Sequence, residues 1–254
     1  MWHYRLNIEY DGTDFKGWQV QPDQRTVQGE LEARLHQLFS TAIRTTAAGR
    51  TDTGVHALGQ VVNFSVDRES KPEELKKSLN GTLPPDVVVH AASEVDAEFN
   101  ARFSATGRTY RYDIEYGHRA VGRAYAWVRQ NPLMLDDMRH AATHITGEHD
   151  FTSFCVAAQE RESRVCDIRK CDWSMTGEGI RLTISANRFV RSMVRSLVGT
   201  FVDVGRGFIE ADTVRDILSK QDRSAAGTTA PPHGLFLVQV EYGDIEQQNA
   251  ETVT

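Results

Sequence analysis

One segment restricts the fold more than any other, because it alternates strictly between apolar and charged side chains. Tyr110, Tyr112, Ile114 and Tyr116 share one face, and Arg111, Asp113 and Glu115 share the other. Successive side chains of a β-strand point to opposite faces, so this repeat of two is typical of a strand with one buried face. The pattern predicts a strand over residues 109–116.

Similar alternating runs and amphipathic helical patterns follow one another along the chain. Further strands are predicted at 3–10, 58–66, 87–95, 165–175, 179–186 and 235–242. Helices are predicted at 26–40, 72–79, 135–145, 189–204 and 211–219. This order predicts an α+β fold, with an N-terminal half at 1–100 and a C-terminal half at 101–243 sharing a sheet. The polar, acidic residues 244–254 are predicted to form a frayed tail.

Composition limits the class of protein. The chain has 254 residues, of which 40% are hydrophobic and 25% charged, as is ordinary for a globular protein. No apolar run approaches the ~18 residues of a membrane-spanning helix, and no signal-peptide pattern is visible, so a cytoplasmic protein with no membrane partner is expected. Cys155, Cys166 and Cys171 lack the spacing of a disulfide framework or a zinc knuckle, so structural thiols and no metal site are expected.

The net charge of −6 conceals two basic stretches. Residues 101–130 hold six arginines against two acidic residues, and residues 181–206 hold five against one, so each stretch carries +4 and the remainder −14. Screening confines charge effects to about 8–10 Å, so a locally basic surface on an acidic protein can still bind phosphates. Arginines that merely solvate exposed faces are the alternative interpretation.

Three segments rich in glycine and polar residues adjoin predicted strands, namely Tyr10–Gln19, Gly49–Ala57 and Thr229–Gly234. Loops at strand ends often carry functional side chains on a rigid scaffold. In the second segment, two glycines bracket Arg50–Thr53, which permits a tight backbone that exposes the Asp52 carboxylate. A hairpin turn in which Asp52 bonds its own backbone is the alternative.

Other polar residues have weaker claims to chemistry. Asp11 and Asp14 could form a glycosidase-like carboxylate couple with Asp52, or they could belong to turns. The histidines at 56, 90, 149 and 233 are expected to be structural or to contact substrate rather than to act as general bases. The sequence has no dinucleotide-binding motif G-x-G-x-x-G, no Walker A motif and no zinc-hydrolase motif H-E-x-x-H, so no nucleotide cofactor or metal is expected.

The segment Gly49–Ala57, with the sequence GRTDTGVHA, closely resembles the active-site motif of the tRNA pseudouridine synthase A family. The family usually has alanine where this chain has Thr53. Five further segments resemble family motifs in the same order, and together they cover about residues 3–242. They are Tyr10–Gln19, Phe103–Tyr112, His149–Phe154, Phe189–Arg195 and Ala230–Leu235.

This resemblance implies a fold of two ferredoxin-like α/β halves sharing a central mixed, mainly antiparallel sheet, with the active-site cleft between them. It implies an isomerase that converts uridine to pseudouridine at positions 38, 39 and 40 of the tRNA anticodon stem-loop. The reaction needs no cofactor. A homodimer that binds the anticodon arm of tRNA is implied as well.

The resemblance also assigns catalytic roles to Asp52, Tyr110 and Arg195. Asp52 either adds covalently or removes a ribose proton, and Arg195 keeps that carboxylate ionised. Tyr110 stacks on the target base. Arg50 resembles the family residue that fills the space of the flipped base. Substrate contacts are expected from Tyr110, Arg50, His56, Arg108 and Arg191.

Two other classes of protein remain as alternatives. A non-catalytic RNA-binding module that kept the fold would not need a carboxylate near the base. A carboxylate-pair glycosidase would need a second well-placed acid and would leave the arginines unexplained.

Overall fold

The computed structural model describes residues 1–156 and 163–243, so the predicted tail at 244–254 lies outside the described residues. The chain divides into two compact units. The first unit contains residues 1–106 and the chain from Phe236 onward, and the second contains Gly107–Leu235. No helix within the described ranges is long and apolar enough to cross a membrane.

The first unit combines a sheet with two helices. Its strands are β1 (Trp2–Tyr10), β2 (Thr46–Ala47), β3 (His56–Val66) and β4 (Val87–Glu94), and its helices are α1 (Val27–Phe39) and α2 (Pro72–Asn80). Strand β1 pairs antiparallel with β3 on one side and with β4 on the other, and β2 adds to β3. The alternation seen in the sequence fixes the buried face of β1, where Tyr4, Leu6 and Ile8 are fully buried.

Local sequence also explains why α1 forms where it does. Thr26 is the N-cap, and its hydroxyl accepts a hydrogen bond from the amide of Gly29, as the sequence predicts. Leu31 and Leu35 lie one turn apart and are fully buried. Burying each such side chain stabilises the fold by roughly 1.5–3 kcal/mol. An N-cap and an apolar stripe therefore determine both the start and the orientation of this helix.

The second unit is also α+β. Its strands are β5 (Gly107–Tyr116), β6 (Trp127–Arg129), β7 (Gly147–Asp150), β8 (Val165–Met175) and β9 (Gly179–Ala186), and its helices are α3 (Leu135–Thr143), α4 (Met193–Gly205) and α5 (Thr213–Lys220). The strand order is β5-β9-β8-β7 with antiparallel pairing, and β6 pairs with β5 in parallel. The strand predicted at residues 109–116 is confirmed as β5. Its apolar and charged faces are confirmed as well, since Tyr112 and Ile114 are buried while Asp113 is half-buried.

The last strand, β10 (Leu235–Glu241), belongs largely to the first unit. It pairs in parallel with β3, through Phe236 opposite His56 and Leu237 opposite Ala57. The units therefore differ from the sequence-predicted halves, which began the second half at residue 101 and placed this strand in it. The reason is that pairing between distant strands leaves no local periodicity.

The α+β class and the mixed, mainly antiparallel pairing are confirmed within each unit. Three helix boundaries differ from the predictions by two or more residues, and one of them is the start of α5 at Thr213 rather than at residue 211. Helix α4 begins at Met193 rather than at residue 189, because Ser192 has a left-handed backbone with φ +58° that interrupts the helix. Helix α3 ends at Thr143, two residues early. The sequence missed the short strands β2, β6 and β7, whose two to four residues are too few for a periodic pattern.

The cysteines behave as structural thiols. Cys155 and Cys166 are buried and Cys171 is half-buried, and none of the three forms a disulfide. Burial raises the pKa of Cys166 to about 11. This thiol is therefore protonated at neutral pH and is a poor nucleophile.

Candidate active site

The segment that carries Asp52 joins β2 to β3 and is anchored on both sides. The Gln60 side-chain amide donates to the carbonyl of Gly49 over 2.7 Å. The hydroxyls of Tyr10 and Thr51 lie 2.7 Å apart in a buried hydrogen bond. Because Tyr10 is buried, its pKa rises to about 12, so it stays neutral and able to share this bond. Side chains from β1 and β3 thus hold Thr51 and Gly49, which both precede Asp52.

Asp52 itself occupies a tight turn that leaves it half-buried. Its carbonyl accepts a hydrogen bond from the amide of Val55 over 3.1 Å, and Gly54 adopts φ +76°. This conformation requires glycine in practice, which explains one of the two glycines that bracket the segment. Arg50 is exposed at the start of the same segment. A backbone turn is therefore present, and it presents the carboxylate of Asp52 from a fixed main chain; the alternative, in which that carboxylate bonds its own backbone, stays a prediction.

The Tyr10–Gln19 segment packs against the backbone of this turn. The amide of Trp18 donates to the carbonyl of Thr51 over 3.1 Å, and the amide of Gly54 donates to the carbonyl of Phe15 over 3.4 Å. Gly17 has φ +87°, and a Cβ there would lie 2.7 Å from the carbonyl oxygen of Thr51 and 3.2 Å from the carbonyl carbon of Asp52. A side chain at residue 17 would displace the backbone of the Asp52 turn.

His56, the first residue of β3, connects the Asp52 turn to the Tyr10–Gln19 segment. Its buried ring stacks on Phe236 at a centroid distance of 4.7 Å. The amide of Gly12 donates to His56 Nδ1 over 3.0 Å, and a Cβ on Gly12 would lie 2.1 Å from the carbonyl oxygen of Val55. These contacts give His56 a positioning role. The substrate contact expected from the sequence stays a prediction.

Arg25 packs against Phe15 of the Tyr10–Gln19 segment. Its guanidinium forms two hydrogen bonds with Asp86, of 2.7 and 2.9 Å, and lies 4.1 Å from the centroid of the buried Phe15 ring. A paired, two-point contact of this kind is among the stronger ion pairs because its geometry is specific. The hydrogen bonds that the guanidinium donates to Asp86 also raise the pKa of Arg25. Arg25 thus fixes the middle of the segment that supports the turn.

In the second unit, Tyr110 lies near the start of β5, where only 8% of its surface is exposed. Its ring packs edge-on against Phe189, with centroids 5.2 Å apart and planes at 88°. Two residues earlier, Arg108 is equally buried, and its guanidinium donates to the carbonyl of Asn187 over 2.9 Å. Both side chains are therefore held by the connection between β9 and α4. Substrate contact by Arg108 stays a prediction.

Arg195 is oriented by the segment before β10. Its Nε donates to the carbonyl of Ala230 over 2.9 Å, and its own carbonyl accepts from the Ala230 amide over 3.0 Å. The hydroxyl of Tyr112 donates to the carbonyl of Pro231 over 2.8 Å. Arg195 lies in the first turn of α4, and the third glycine-rich segment, Thr229–Gly234, fixes the orientation of its guanidinium. Arg191, four residues earlier, is exposed.

The structure places the sequence-predicted residues in two local groups. Arg50, Asp52 and His56 share one segment of the first unit, whereas Arg108, Tyr110, Arg191 and Arg195 belong to the second unit. Asp11 is a turn residue, since its carboxylate accepts hydrogen bonds from the amide and hydroxyl of Thr13 over 3.0 and 2.6 Å.

Sequence reasoning missed several supporting residues. Gln60 had no pattern that marked it. Phe189 was visible only as the first residue of a segment that resembles a family motif, and Gly12 and Gly17 only as members of a glycine-rich segment. A glycine pressed against a distant backbone gives no local signal beyond its identity. These residues hold three side-chain groups in place: the carboxylate of Asp52, the ring of Tyr110 and the guanidinium of Arg195.

Comparison with known proteins adds an independent finding. A family model described as tRNA pseudouridine synthase matches residues 7–104 and 141–243. The tRNA pseudouridine synthase A of Geobacillus sp. (strain WCH70) is 44% identical over 241 residues, covering 94% of this chain and 97% of the relative. The protein of the same name from Bacillus subtilis (strain 168) is 43% identical over 242 residues, with coverage of 94% and 98%. The similarity therefore spans nearly the full length of both relatives.

Proposed function

The chain belongs to the tRNA pseudouridine synthase family, and we propose that it converts uridines 38, 39 and 40 of the tRNA anticodon stem-loop to pseudouridine, with Asp52 as the catalytic carboxylate. The single observation that supports this most strongly is the Gly49–Ala57 motif, whose aspartate stands on a doubly anchored turn. Catalytic groups must be held in a narrow range of positions, and this backbone provides that.

The reaction breaks the bond between N1 of uracil and C1′ of the ribose. The uracil then rotates, and a bond forms between C5 and C1′. The C5 proton is lost and N1 gains a proton, so the product is an isomer of the substrate and no oxidant or cofactor is consumed. Asp52 assists either as a nucleophile or as the base that takes a ribose proton.

Tyr110 and Arg195 are proposed to act with Asp52. Stacking of a base on an aromatic ring contributes roughly 1–3 kcal/mol, and the edge-on packing against Phe189 would hold the Tyr110 ring ready for it. Arg195 is proposed to supply the positive charge that favours the ionised carboxylate. Its hydrogen bond to Ala230 supports a fixed guanidinium.

Arg50 and Arg191 are proposed to contact the RNA directly, and their exposure supports this. A base within a helical stem must be extruded before it can react, and Arg50 is proposed to occupy the vacated space. The further proposals, that the enzyme is a homodimer and acts in the cytoplasm, rest on resemblance to the family alone.

The proposal is tested by incubating the full chain with unmodified tRNA transcripts that carry a uridine at position 38, 39 or 40, and mapping pseudouridine by mass spectrometry. Asp52→Asn should lower the rate at least about 1,000-fold, equivalent to ~4 kcal/mol of barrier, while tRNA binding is retained. Asp14→Asn is the matched control, because it removes an exposed carboxylate from the supporting segment.

The outcomes separate the candidate functions. Full activity of Asp52→Asn would refute the catalytic role of Asp52. No product from the unmodified chain on any tRNA would refute the proposed activity and favour an RNA-binding module. Equal loss in Asp14→Asn would instead favour a pair of carboxylates. Product at uridines outside 38–40 would keep the activity and correct the position.

A further inference from the structure

Two histidines and one aspartate converge on the surface of the second unit. His140 lies in the last turn of α3, and His144 follows as the C-cap of that helix. Asp212 is the residue before α5. The ligand atoms of all three lie within 4.8 Å of one another. Because residues four apart share one face of a helix, the two imidazoles point the same way.

The distances within this cluster match those of a shared ion. His144 Nε2 lies 2.9 Å and His140 Nε2 lies 3.5 Å from the same oxygen, Asp212 Oδ1. Ligands at 2.0–2.1 Å from a common ion at angles of 90–110° stand about 2.9–3.4 Å apart from one another. The two observed distances bracket that range. The centroids of the two imidazole rings are 5.2 Å apart, and all three ligand atoms lie within 4.8 Å of one another.

The three side chains differ in exposure in a way that favours binding of an ion from solution. The side chain of His144 is only 14% exposed, so it is fixed by its surroundings. His140 and Asp212 are 57% and 60% exposed, which leaves an open approach. An ion held by one mostly buried and two exposed ligands would have its remaining coordination positions open to water.

We propose that His140, His144 and Asp212 form a binding site for a divalent transition-metal ion such as Zn²⁺ or Ni²⁺. Imidazole nitrogen with one carboxylate suits these ions, whereas Mg²⁺ and Ca²⁺ prefer oxygen ligands. Each neutral imidazole would bind through Nε2 and carry its proton on Nδ1. The bound ion would tie the end of α3 to the start of α5, so it serves stability and takes no part in uridine isomerisation.

The sequence could not have revealed this site. A pair of histidines four residues apart is common on exposed helices, and Asp212 follows His144 by 68 residues. The expectation of no metal came from the cysteine spacing and from the lack of zinc-hydrolase signatures. The site therefore depends on the packing of α3 beside α5.

The experiment titrates ZnCl₂ or NiCl₂ into the full, metal-free chain by isothermal calorimetry. One ion should bind per chain, and metal at about 100 times its dissociation constant should raise Tm by about 5–10 °C. His140→Ala should weaken binding at least about tenfold, since even loss of a residue that only supports a ligand costs that much. His140 is exposed, so this variant is expected to fold normally.

The matched control is His90→Ala, which removes an exposed histidine that pairs with Glu9 over 2.6 Å and lies outside the cluster of His140, His144 and Asp212. It should bind metal as the unmodified chain does. Binding that is undetectable at 1 mM metal, or that is equal in His140→Ala and the unmodified chain, would overturn the proposal. In that case the hydrogen bond between His144 and Asp212 is only a link between two helices.

Discussion

At the scale of single residues, Arg195 shows how one side chain can be given a direction as well as a charge. Its Nε is engaged by the carbonyl of Ala230, so the plane of the guanidinium is set by the backbone before β10. A lysine would retain the charge but would lack the Nε donor and the planar fork. The role proposed for Arg195 therefore depends on geometry as well as on charge.

We expect Arg195→Ala to lower turnover about 100-fold with little change in tRNA affinity, since Arg195 is proposed to keep the Asp52 carboxylate ionised and the loss of one partner of a buried ion pair costs about 3 kcal/mol. Arg195→Lys should recover only part of that loss. Single-turnover rates and filter-binding affinities measure the two effects separately. Weaker binding with normal turnover would contradict the role in the reaction.

Arg191→Ala provides the contrast to this prediction. That side chain is exposed on the same connection, so its loss should weaken binding of tRNA and leave the single-turnover rate at saturation unchanged. A residue that touches only phosphate contributes equally before and during the reaction, which is why its loss does not change the chemical step.

At the scale of elements, the Asp52 turn is held by a neighbouring segment rather than by its own strand pairing. Gly17 is one of two close points of that contact, with Gly12, because its missing side chain lets two backbones meet. The amides of Trp18 and Gly54 bond across the same junction. Displacement of the Tyr10–Gln19 segment would therefore move the carboxylate.

Gly17→Ala should consequently lower turnover at least about tenfold and destabilise the protein by about 1–3 kcal/mol, through both the left-handed backbone and the collision. The control is Gly122→Ala, which has a similar φ of +81° but no atom within 4 Å of the added carbon. It should show the loss of stability without the loss of turnover. Urea unfolding and initial rates give both quantities, and equal rates for the two variants would refute the collision.

Most elements follow from local sequence, and the exceptions have physical causes. The strand at residues 109–116 and the hairpin of β8 and β9 lie where their alternation predicted. Helix α4 starts late because a left-handed residue precedes it, and no periodicity reports a single backbone torsion. Strands of two to four residues are held by their partners, so their own residues carry no pattern.

At the scale of the whole molecule, the charge distribution is less simple than the sequence indicated. Within the two basic stretches, Arg181 pairs with Asp113 and Arg119 pairs with Glu178 over 2.8 Å. Arg108 is buried. Exposed members such as Arg123 and Arg191 are therefore the better candidates for phosphate contact.

Affinity for tRNA should fall steeply as salt rises, because each neutralised phosphate releases counterions. Arg191→Ala should reduce the slope of log affinity against log salt by about 1. The control is Arg44→Ala, an exposed arginine outside both stretches that pairs with Glu32 over 3.1 Å. Binding isotherms between 50 and 200 mM salt would test this, and equal slopes for both variants would contradict it.

The sequence by itself determined the α+β class, most helices and strands, the family and the identity of the candidate carboxylate. These follow from short-range periodicity and from a motif of nine consecutive residues, which are properties of neighbouring positions. Tertiary structure alone decided that β10 pairs with β3, that Gly12 and Gly17 support the Asp52 turn, and that Ala230 directs Arg195. Each of these joins residues far apart in the chain, where contact depends on the packing of whole elements and not on local propensity.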